Sequence, residues 1–293
     1  MPAPLVPGDH ALVAAPSGVL NRDELWRGLA WVRMRYSLRM SSTALLRDGF
    51  LAGSDARRRS ELEEGMIGGT AKAIFAARGG YGASRITDDL PWAAFSRSPT
   101  WIVGFSDITA LHAMAWQVGV ASIHGPNVTG LGRGASPATR AAWLACLERP
   151  GHRRVWRGLR VLSAGPAARG PIVGGNLTVL HAMAAADRLR IPYGAVLALE
   201  DVAEPPYRID RMLTSLRTAG HLGRVSAIVF GSFERCTDSE RGAPVESVLE
   251  ERTRSLGIRV VAGGPFGHGP ANEAFVIGAP ARVAGDEVEL GGV

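Results

Sequence analysis

The stretch WIVGFSDITALHAMAW, residues 101–116, decides the fold because it joins a buried strand to a helix through one tight turn. The apolar run from Trp101 to Val103 is typical of a strand that is covered on both faces, and the pattern from Ile108 onward predicts a helix. The turn between them holds Gly104, Phe105, Ser106 and Asp107. Strands that turn directly into helices are typical of parallel α/β sheets.

The same alternation of strands and helices extends in both directions from this turn. Upstream, strands are predicted at 10–15 and 72–77, and helices at about 22–35, 57–68 and 83–90. Downstream, strands are predicted at 195–200, 225–230 and 260–262, and helices after Gly174-Gly175-Asn176, at about 208–219 and at about 244–256. The last segment, EAFVIGAPARVAGDEVEL, is typical of short antiparallel strands. We therefore expect an α/β protein with an open, doubly wound parallel sheet and a second domain that antiparallel strands close.

The composition changes between about residues 132 and 170, where Gly, Pro and Arg dominate. Such text is typical of loops and linkers. We predict an N-terminal domain over 1–150, a linker over 151–170 and a C-terminal domain over 171–293.

The net charge of +6 does not make nucleic acid an expected partner, because Lys72 is the only lysine and the arginines are scattered. The run Arg57–Arg59 is interpreted as a solvated helix face. The two cysteines, Cys146 and Cys236, match no metal-binding spacing, so buried free thiols in a reducing compartment are expected. With neither a signal peptide pattern nor 18 consecutive apolar residues, a cytoplasmic protein without a membrane span is expected.

Ser106 has two interpretations. At a sharp strand-to-helix turn its hydroxyl can attack a carbonyl carbon, while the N–H of Asp107 stabilises the developing oxyanion. Alternatively, Ser106 or Asp107 simply caps the helix.

The segment ARGGYGASR, residues 77–85, follows a predicted strand and leaves backbone N–H groups uncovered. Such a loop can hold a phosphate, a carboxylate or an oxyanion, although it can equally be a bare turn.

A base and an acid would have to assist a nucleophilic serine. His268 lies in the loop GGPFGHGPAN and is the preferred candidate, because functional residues concentrate in loops. His112 is too close to Ser106 in sequence, His124 and His181 are interpreted as buried, and His10, His152 and His221 lie in polar turns. Glu200 ends a predicted strand and could orient the imidazole, with Asp201, Glu204 and Asp210 as competitors.

Six motifs occur in the order and spacing of a known family: ARGGYGASR, GFSDITALH, HGP, GGNLTVL, LEDVAEPPYRIDRML and PFGHG. From about Pro7 to about Val283 the sequence resembles the LD-carboxypeptidases, serine peptidases that trim murein tetrapeptides in the bacterial cytoplasm. The family also includes the microcin C self-immunity peptidases. The resemblance implies an N-terminal flavodoxin-like domain, a smaller C-terminal β-rich α/β domain, a homodimer, and neither metal nor cofactor.

The resemblance also implies the roles of individual residues. Ser106 matches the nucleophile and lies on the first domain, whereas Glu200 and His268 match the acid and base and lie on the second. The amides of Asp107 and Gly79 match the oxyanion hole.

The implied substrate is a murein tetrapeptide whose C-terminal D-alanine is released. Gly80 and Arg78 are candidates for binding it, and Arg78, Arg85 and Arg208 are candidates for holding its carboxylate. The sequence departs from the family at Asn127, where methionine is usual, and this bears on substrate choice.

Two rival functions are kept. A microcin-type immunity peptidase would use the same triad on a peptidyl or aminoacyl nucleotide, with Trp92, Trp101 or Trp156 as a platform for the base. A non-enzymatic anion-binding protein would use only the segment 77–85, here called the Gly-Gly loop, and Ser106 would only cap the helix.

Overall fold

The computed structural model describes residues 1–237 and 244–292. Its internal contacts divide the chain into two units. The first unit comprises Met1–Pro150 and Glu273–Ile277, and the second comprises Gly151–Asn272 and Gly278–Val293. The chain therefore returns to the first unit for five residues before it completes the second.

Several helices of the first unit begin at a side-chain cap. Asn21 accepts a hydrogen bond from the Glu24 N–H, and Ser136 accepts one from Thr139, with Pro137 in the first turn. The elements up to residue 150 are β1 (His10–Ala14), α1 (Arg22–Arg33), β2 (Ser37–Arg39), α2 (Asp55–Ile67), β3 (Ala73–Ala76), α3 (Trp92–Arg97), β4 (Trp101–Gly104), α4 (Thr109–Gln117), β5 (Ser122–His124), α5 (Val128–Gly132) and α6 (Pro137–Glu148).

The remaining elements are mostly strands, and β12 is the segment that belongs to the first unit. They are β6 (Arg154–Trp156), β7 (Arg160–Ala164), β8 (Ala168–Asn176), α7 (Leu177–Ala185), β9 (Ala195–Val202), α8 (Pro206–Thr218), β10 (Val225–Glu234), α9 (Val245–Arg254), β11 (Arg259–Ala262), β12 (Phe275–Ile277), β13 (Pro280–Ala284) and β14 (Glu287–Leu290). Short 3₁₀ turns occupy Ser42–Leu45, Ala83–Arg85, Ser106–Ile108 and Leu222–Arg224.

The sheet of the first unit has the order β2-β1-β3-β4-β5-β12. Its first five strands are parallel, and β12 pairs antiparallel with β5, placing Phe275 opposite His124. The order 2-1-3-4-5 is that of flavodoxin-like sheets. The predicted flavodoxin-like α/β architecture is therefore confirmed. All four residues of β4 are buried, as expected for a strand that is covered on both faces.

The sheet of the second unit has the order β6-β14-β13-β8-β9-β10-β11-β7. Its four central strands, β8 to β11, are parallel, and antiparallel strands flank them on both sides. In β9 every residue except the last is buried. The second unit is thus the β-rich α/β domain that the resemblance implies.

Three local features differ from the sequence predictions. Residues 151–170, predicted as a linker, carry β6, β7 and the start of β8, because Gly and Pro here separate short strands rather than mark irregular chain. The helix predicted over 83–90 is only a 3₁₀ turn, and α3 starts after Pro91 instead. The predicted C-terminal domain also loses 273–277 to the first unit.

Two further observations concern the whole described chain. Both cysteines, Cys146 and Cys236, are buried thiols that form no disulfide among the described residues. Within residues 1–237 and 244–292, no helix combines the length and the apolar character that crossing a bilayer requires.

Candidate active site

Ser106 lies at a strained turn immediately after β4. Its φ is 65°, in the left-handed region that non-glycine residues rarely adopt and that costs about 1–3 kcal/mol. The position before the 3₁₀ turn is held by Phe105, and the position before α4 by Ile108, so Ser106 occupies neither cap position. A strained strand-to-helix turn of this kind is how a nucleophile elbow presents its hydroxyl.

Close packing at Gly104 fixes this turn. A Cβ at Gly104 would lie 2.7 Å from Asn127 Oδ1 and 2.9 Å from Ala76 Cβ, so only glycine fits there. Asn127 is buried, and its Oδ1 accepts a hydrogen bond of 3.2 Å from the Phe105 N–H. The backbone on both sides of the turn is therefore set by tight contacts.

His112 holds the same turn from α4. Its Nε2 lies 2.9 Å from the Gly104 carbonyl oxygen, and its Nδ1 lies 2.9 Å from Ser122 Oγ. Because a carbonyl only accepts, Nε2 carries the proton and Nδ1 accepts from the Ser122 hydroxyl. Complete burial lowers the pKa of His112 to about 4. The imidazole is therefore neutral and structural, which agrees with its exclusion as the base.

We expect acid to destabilise the protein partly through His112. The unfolded chain binds a proton on this group near its ordinary pKa of 6.5, whereas the folded chain resists protonation until about 4. Between these values the stability contributed by neutral His112 is lost as the pH falls, by up to about 1.4 kcal/mol per pH unit. Urea unfolding of wild type and of His112→Gln at several pH values checks this. The variant should show the shallower pH dependence in that window, and parallel curves would contradict the assignment.

The Gly-Gly loop lies directly against Ser106. A Cβ at Gly79 would lie 2.9 Å from Ser106 Cβ and 3.2 Å from its Oγ. Gly80 and Gly82 have φ values of 107° and 126°, which favour glycine. The structure therefore brings together Gly79, Ser106 and, next in sequence, Asp107.

Two buried charged groups hold the end of this loop. Arg58, fully buried, donates hydrogen bonds to the carbonyl oxygens of Pro16 and Gly82, the latter at 2.8 Å, and pairs with Asp55. The expectation that Arg57–Arg59 forms a solvated face is therefore wrong for Arg58, and also for Arg57, whose side chain is only 12% exposed. From the other side, the Asp107 carboxylate accepts a hydrogen bond of 2.8 Å from the Ala83 N–H.

The buried Asp107 carboxyl is thus a structural group of the loop. Burial raises its pKa, while hydrogen bonds from the Ser17 side chain and from the Ala83 N–H act in the opposite direction. Its side chain braces Ala83, so that only its backbone N–H is considered for the oxyanion.

Replacing Arg58 with methionine should destabilise the protein by about 1–3 kcal/mol for each of the two buried carbonyl oxygens, of Pro16 and Gly82, that lose their donor. Thermal or urea unfolding measures the loss. Arg59→Met is the matched control, since Arg59 is 42% exposed and its pairs with Glu63 and Asp89 lie at the surface. Equal losses in the two variants would show that the buried contacts of Arg58 contribute nothing.

In the second unit the structure brings His268 and Glu200 together. His268 Nδ1 lies 2.7 Å from Glu200 Oε2, and Glu200 is fully buried near the end of β9. Because a carboxylate accepts, Nδ1 carries the proton and Nε2 is the basic nitrogen of the neutral ring. This is the arrangement in which an acid orients a catalytic imidazole.

The loop around His268 is glycine-rich because its backbone passes close to β9 and β10. Gly267 has a φ of 108°, and a Cβ there would lie 2.6 Å from Ser232 Oγ and 2.8 Å from Glu200 Cβ. The Gly269 N–H donates to Ser232 Oγ at 2.9 Å, and the Gly267 N–H donates to Asn272 Oδ1 at 3.3 Å. These contacts fix the backbone on both sides of the imidazole.

The competing carboxylates are engaged elsewhere. Asp201 accepts hydrogen bonds from Asn176, from Val202 and twice from Thr178, and so fixes the start of α7. Burial raises its pKa. Glu204 lies 3.5 Å from Arg208, and Asp210 lies 3.4 Å from Arg252.

The other histidines and the tryptophans proposed in the sequence analysis have mainly structural surroundings. His124 is buried and stacks on Phe275 at 4.8 Å. His181 is only half-buried, so the interpretation as a buried side chain is wrong for it. Partial burial lowers the pKa of both His181 and His221. The three tryptophans considered as nucleobase platforms, Trp92, Trp101 and Trp156, are all buried.

Two sequence models that describe LD-carboxypeptidases match most of this chain. The model of the N-terminal domain matches residues 12–125, and that of the C-terminal domain matches residues 169–283. The chain belongs to the LD-carboxypeptidase family.

Individual LD-carboxypeptidases and related proteins are similar to this chain over most of its length. A protein of Synechocystis is 38% identical over 97% of this chain and 94% of its own length. The murein tetrapeptide carboxypeptidase of Pseudomonas aeruginosa is 32% identical over 82% of this chain and 81% of its own. The crystal structure of muramoyltetrapeptide carboxypeptidase from Oxalobacter formigenes superposes with a TM-score of 0.85 at 28% identity, covering 96% of this chain and 98% of that one.

A more distant likeness shows the fold alone. The microcin C7 self-immunity protein superposes with a TM-score of 0.87 at 19% identity, covering 100% of this chain and 98% of that one. The family and the closer relatives make the chain a carboxypeptidase.

Some positions of this LD-carboxypeptidase have structural roles that do not show in the sequence. Asn127, noted only as a departure from the family, fixes the Phe105 amide. Ser232 supports the His268 loop. For Arg58 the sequence holds one signal, because Asp55 lies one helical turn before it and the spacing i, i+3 predicts an ion pair.

Proposed function

We propose that the chain is a serine LD-carboxypeptidase that hydrolyses the amide bond before the C-terminal D-alanine of murein tetrapeptides. Ser106 is the nucleophile, His268 the base and Glu200 the acid that orients it. The observation that carries the proposal is the left-handed backbone of Ser106 lying against Gly79. The contact of 2.7 Å between His268 and Glu200 supports it from the second unit.

The reaction follows from these assignments. His268 accepts the proton of Ser106 Oγ as that oxygen attacks the amide carbonyl carbon, and Glu200 stabilises the imidazolium. The N–H groups of Gly79 and Asp107 stabilise the oxyanion, and each such donor is worth about 3 kcal/mol. The C–N bond then breaks as His268 gives its proton to the leaving amine. Water, activated by the same imidazole, hydrolyses the ester on Ser106.

The resemblance extends the proposal to the setting of the reaction. We propose that the chain acts as a homodimer on small peptides of peptidoglycan recycling in the cytoplasm, without a metal or cofactor. Gly80 and Arg78 belong to the substrate-binding part of the site.

Incubation of the purified protein with L-Ala-γ-D-Glu-meso-diaminopimelate-D-Ala tests the proposal. Release of D-alanine is the expected result, and an inert protein would contradict it. A parallel incubation with an aminoacyl sulfamoyl adenosine tests the microcin-type alternative, for which the buried tryptophans offer no exposed platform. Labelling of Ser106 by a fluorophosphonate separates a serine hydrolase from a simple anion-binding protein.

A further inference from the structure

A groove of about 520 Å³ opens beside the Gly-Gly loop of the first unit. It is lined by Gly18 to Asn21, Arg47, Phe50, Arg78, Gly80 and Tyr81. Gly18 to Asn21 follow β1, and the residues 78–81 follow β3, a neighbouring strand. Arg47 and Phe50 come from the loop after β2, which reaches the groove where the Val19 N–H donates to the Phe50 carbonyl oxygen at 3.1 Å. β2 extends the sheet beyond β1 and β4 extends it beyond β3, in opposite directions. Ligands of open α/β sheets bind at such a switch point.

The groove lies next to Gly79, the residue that packs against Ser106. Gly79 contacts Ser106, and the groove residues Arg78 and Gly80 flank Gly79 in the chain. The Gly18 N–H donates to the Gly79 carbonyl oxygen at 3.1 Å, which fixes the groove wall to the loop. A substrate whose carbonyl lies on the Gly79 amide therefore has this groove within the reach of one residue.

Two arginines of the groove, Arg47 and Arg78, donate hydrogen bonds to backbone carbonyl oxygens. Arg47 donates to the Gly49 carbonyl oxygen at 3.0 Å, and Arg78 donates to the Val19 carbonyl oxygen. In the part of the chain that the structure describes, neither guanidinium lies within ion-pair distance of a carboxylate. The other two arginine candidates differ, because Arg85 pairs with Asp55 at 2.7 Å and Arg208 lies 3.5 Å from Glu204.

An enzyme that removes one C-terminal residue needs a carboxylate site one residue beyond the carbonyl it attacks, about 3.8 Å between successive Cα atoms. Planar guanidinium groups match carboxylates in shape as well as in charge. We propose that Arg47 and Arg78 hold the free carboxylate of the residue that is released, and so restrict the enzyme to chain ends. This assignment rests on the proposed function.

The aromatic wall of the groove strengthens such a contact. Phe50 and Tyr81 are 64% and 51% exposed, and their ring centroids lie 5.7 Å apart. Apolar rings beside an ion pair exclude water from one side of it, which strengthens its attraction. Their exposure in the free protein is consistent with a surface that substrate covers.

Three tetrapeptides test the assignment: the natural acid, its C-terminal carboxamide, and the acid in which lysine replaces diaminopimelate. Wild type should prefer the acid to the carboxamide by about 100-fold in kcat/KM, the discrimination that a charge-assisted pair supplies. In the double variant Arg47→Gln/Arg78→Gln this preference should fall toward one, mainly through KM. Lysine at both positions should restore part of it. Arg97→Gln, an exposed arginine outside the groove, is the matched control and should behave as wild type.

The outcomes separate the two proposals. Wild type that releases no D-alanine overturns the proposed function and this assignment with it. Release that keeps its acid preference in the double variant overturns this assignment alone. A second result would also overturn this assignment: the double variant cleaves the diaminopimelate peptide more slowly than wild type but cleaves the lysine peptide equally fast. The arginines would then bind the side-chain carboxylate of diaminopimelate, which the lysine peptide lacks. Both arginines are exposed, so thermal melting of the double variant should match wild type.

Discussion

Replacing Ser106 with alanine is expected to lower kcat for D-alanine release by about 10⁴-fold or more, because no other group can form the acyl-enzyme. The fold should survive, since the hydroxyl occupies neither helix-cap position and alanine adopts the same backbone no less readily. Single-turnover release of D-alanine with excess enzyme is the measurement. Wild-type release by the variant would remove Ser106 from the mechanism.

The strained backbone at Ser106 can be tested separately from its role in activity, by comparing the stability of two inactive variants. Ser106→Gly should be as inactive as the alanine variant but melt at a higher temperature, because glycine adopts a φ of 65° without a steric penalty. The expected difference is about 1 kcal/mol. Ser96→Ala, at an exposed position on α3, should retain both wild-type activity and stability. An identical melting temperature for the two Ser106 variants would contradict the strained-turn interpretation.

Gly79→Ala should have the second largest effect, lowering kcat by about 10²-fold or more. The new methyl group would lie 2.9 Å from Ser106 Cβ and 3.2 Å from the Phe105 carbonyl oxygen, so the loop must move away from the nucleophile. The amide of Gly79 would then no longer point at the oxyanion. Steady-state kinetics on the tetrapeptide measure the effect, which should fall on kcat more than on KM.

Gly130→Ala is the matched control for this substitution. Gly130 lies in α5 of the same unit, and a Cβ there meets only Pro126 Cβ at 3.5 Å, an ordinary contact. Alanine favours a helix over glycine by about 1 kcal/mol, so this variant should be at least as stable as wild type and fully active. Full activity of Gly79→Ala would exclude the Gly-Gly loop from the oxyanion hole.

The sequence predicts the architecture well where its signals are long or chemically specific. The apolar run at 101–103 is found as β4, and Ser106 lies in the turn after it, as the pattern predicts. The glycines at 267 and 269 near His268 are positions where the backbone passes close to Ser232. The shortest strands, β2, β5, β6 and β12, have three residues each and are too short for a period to show.

Contacts distant in sequence could not be predicted. Arg58 sits in a charged stretch that is typical of an exposed helix face, yet the carbonyl oxygens that bury it come from Pro16 and Gly82. The two groove arginines could not be predicted either, because Arg78 lies 31 positions after Arg47 in the chain. The loops after β2 and β3 that carry them meet only through the loop after β1, whose Val19 and Gly18 N–H groups donate to the Phe50 and Gly79 carbonyl oxygens. The hydrophobic period of a sequence shows which face of one helix or strand is buried. The contacts of Arg58 and the groove arginines depend instead on which loops of the fold are neighbours, and no local pattern shows that.

The return of residues 273–277 to the first unit has a consequence for synthesis on the ribosome. When residue 150 has been made, β5 still has an open edge, because its neighbour β12 comes after nearly all of the second unit. An unpaired edge strand invites pairing with another nascent chain. That edge of β5 therefore stays unpaired until residues 275–277 have been made.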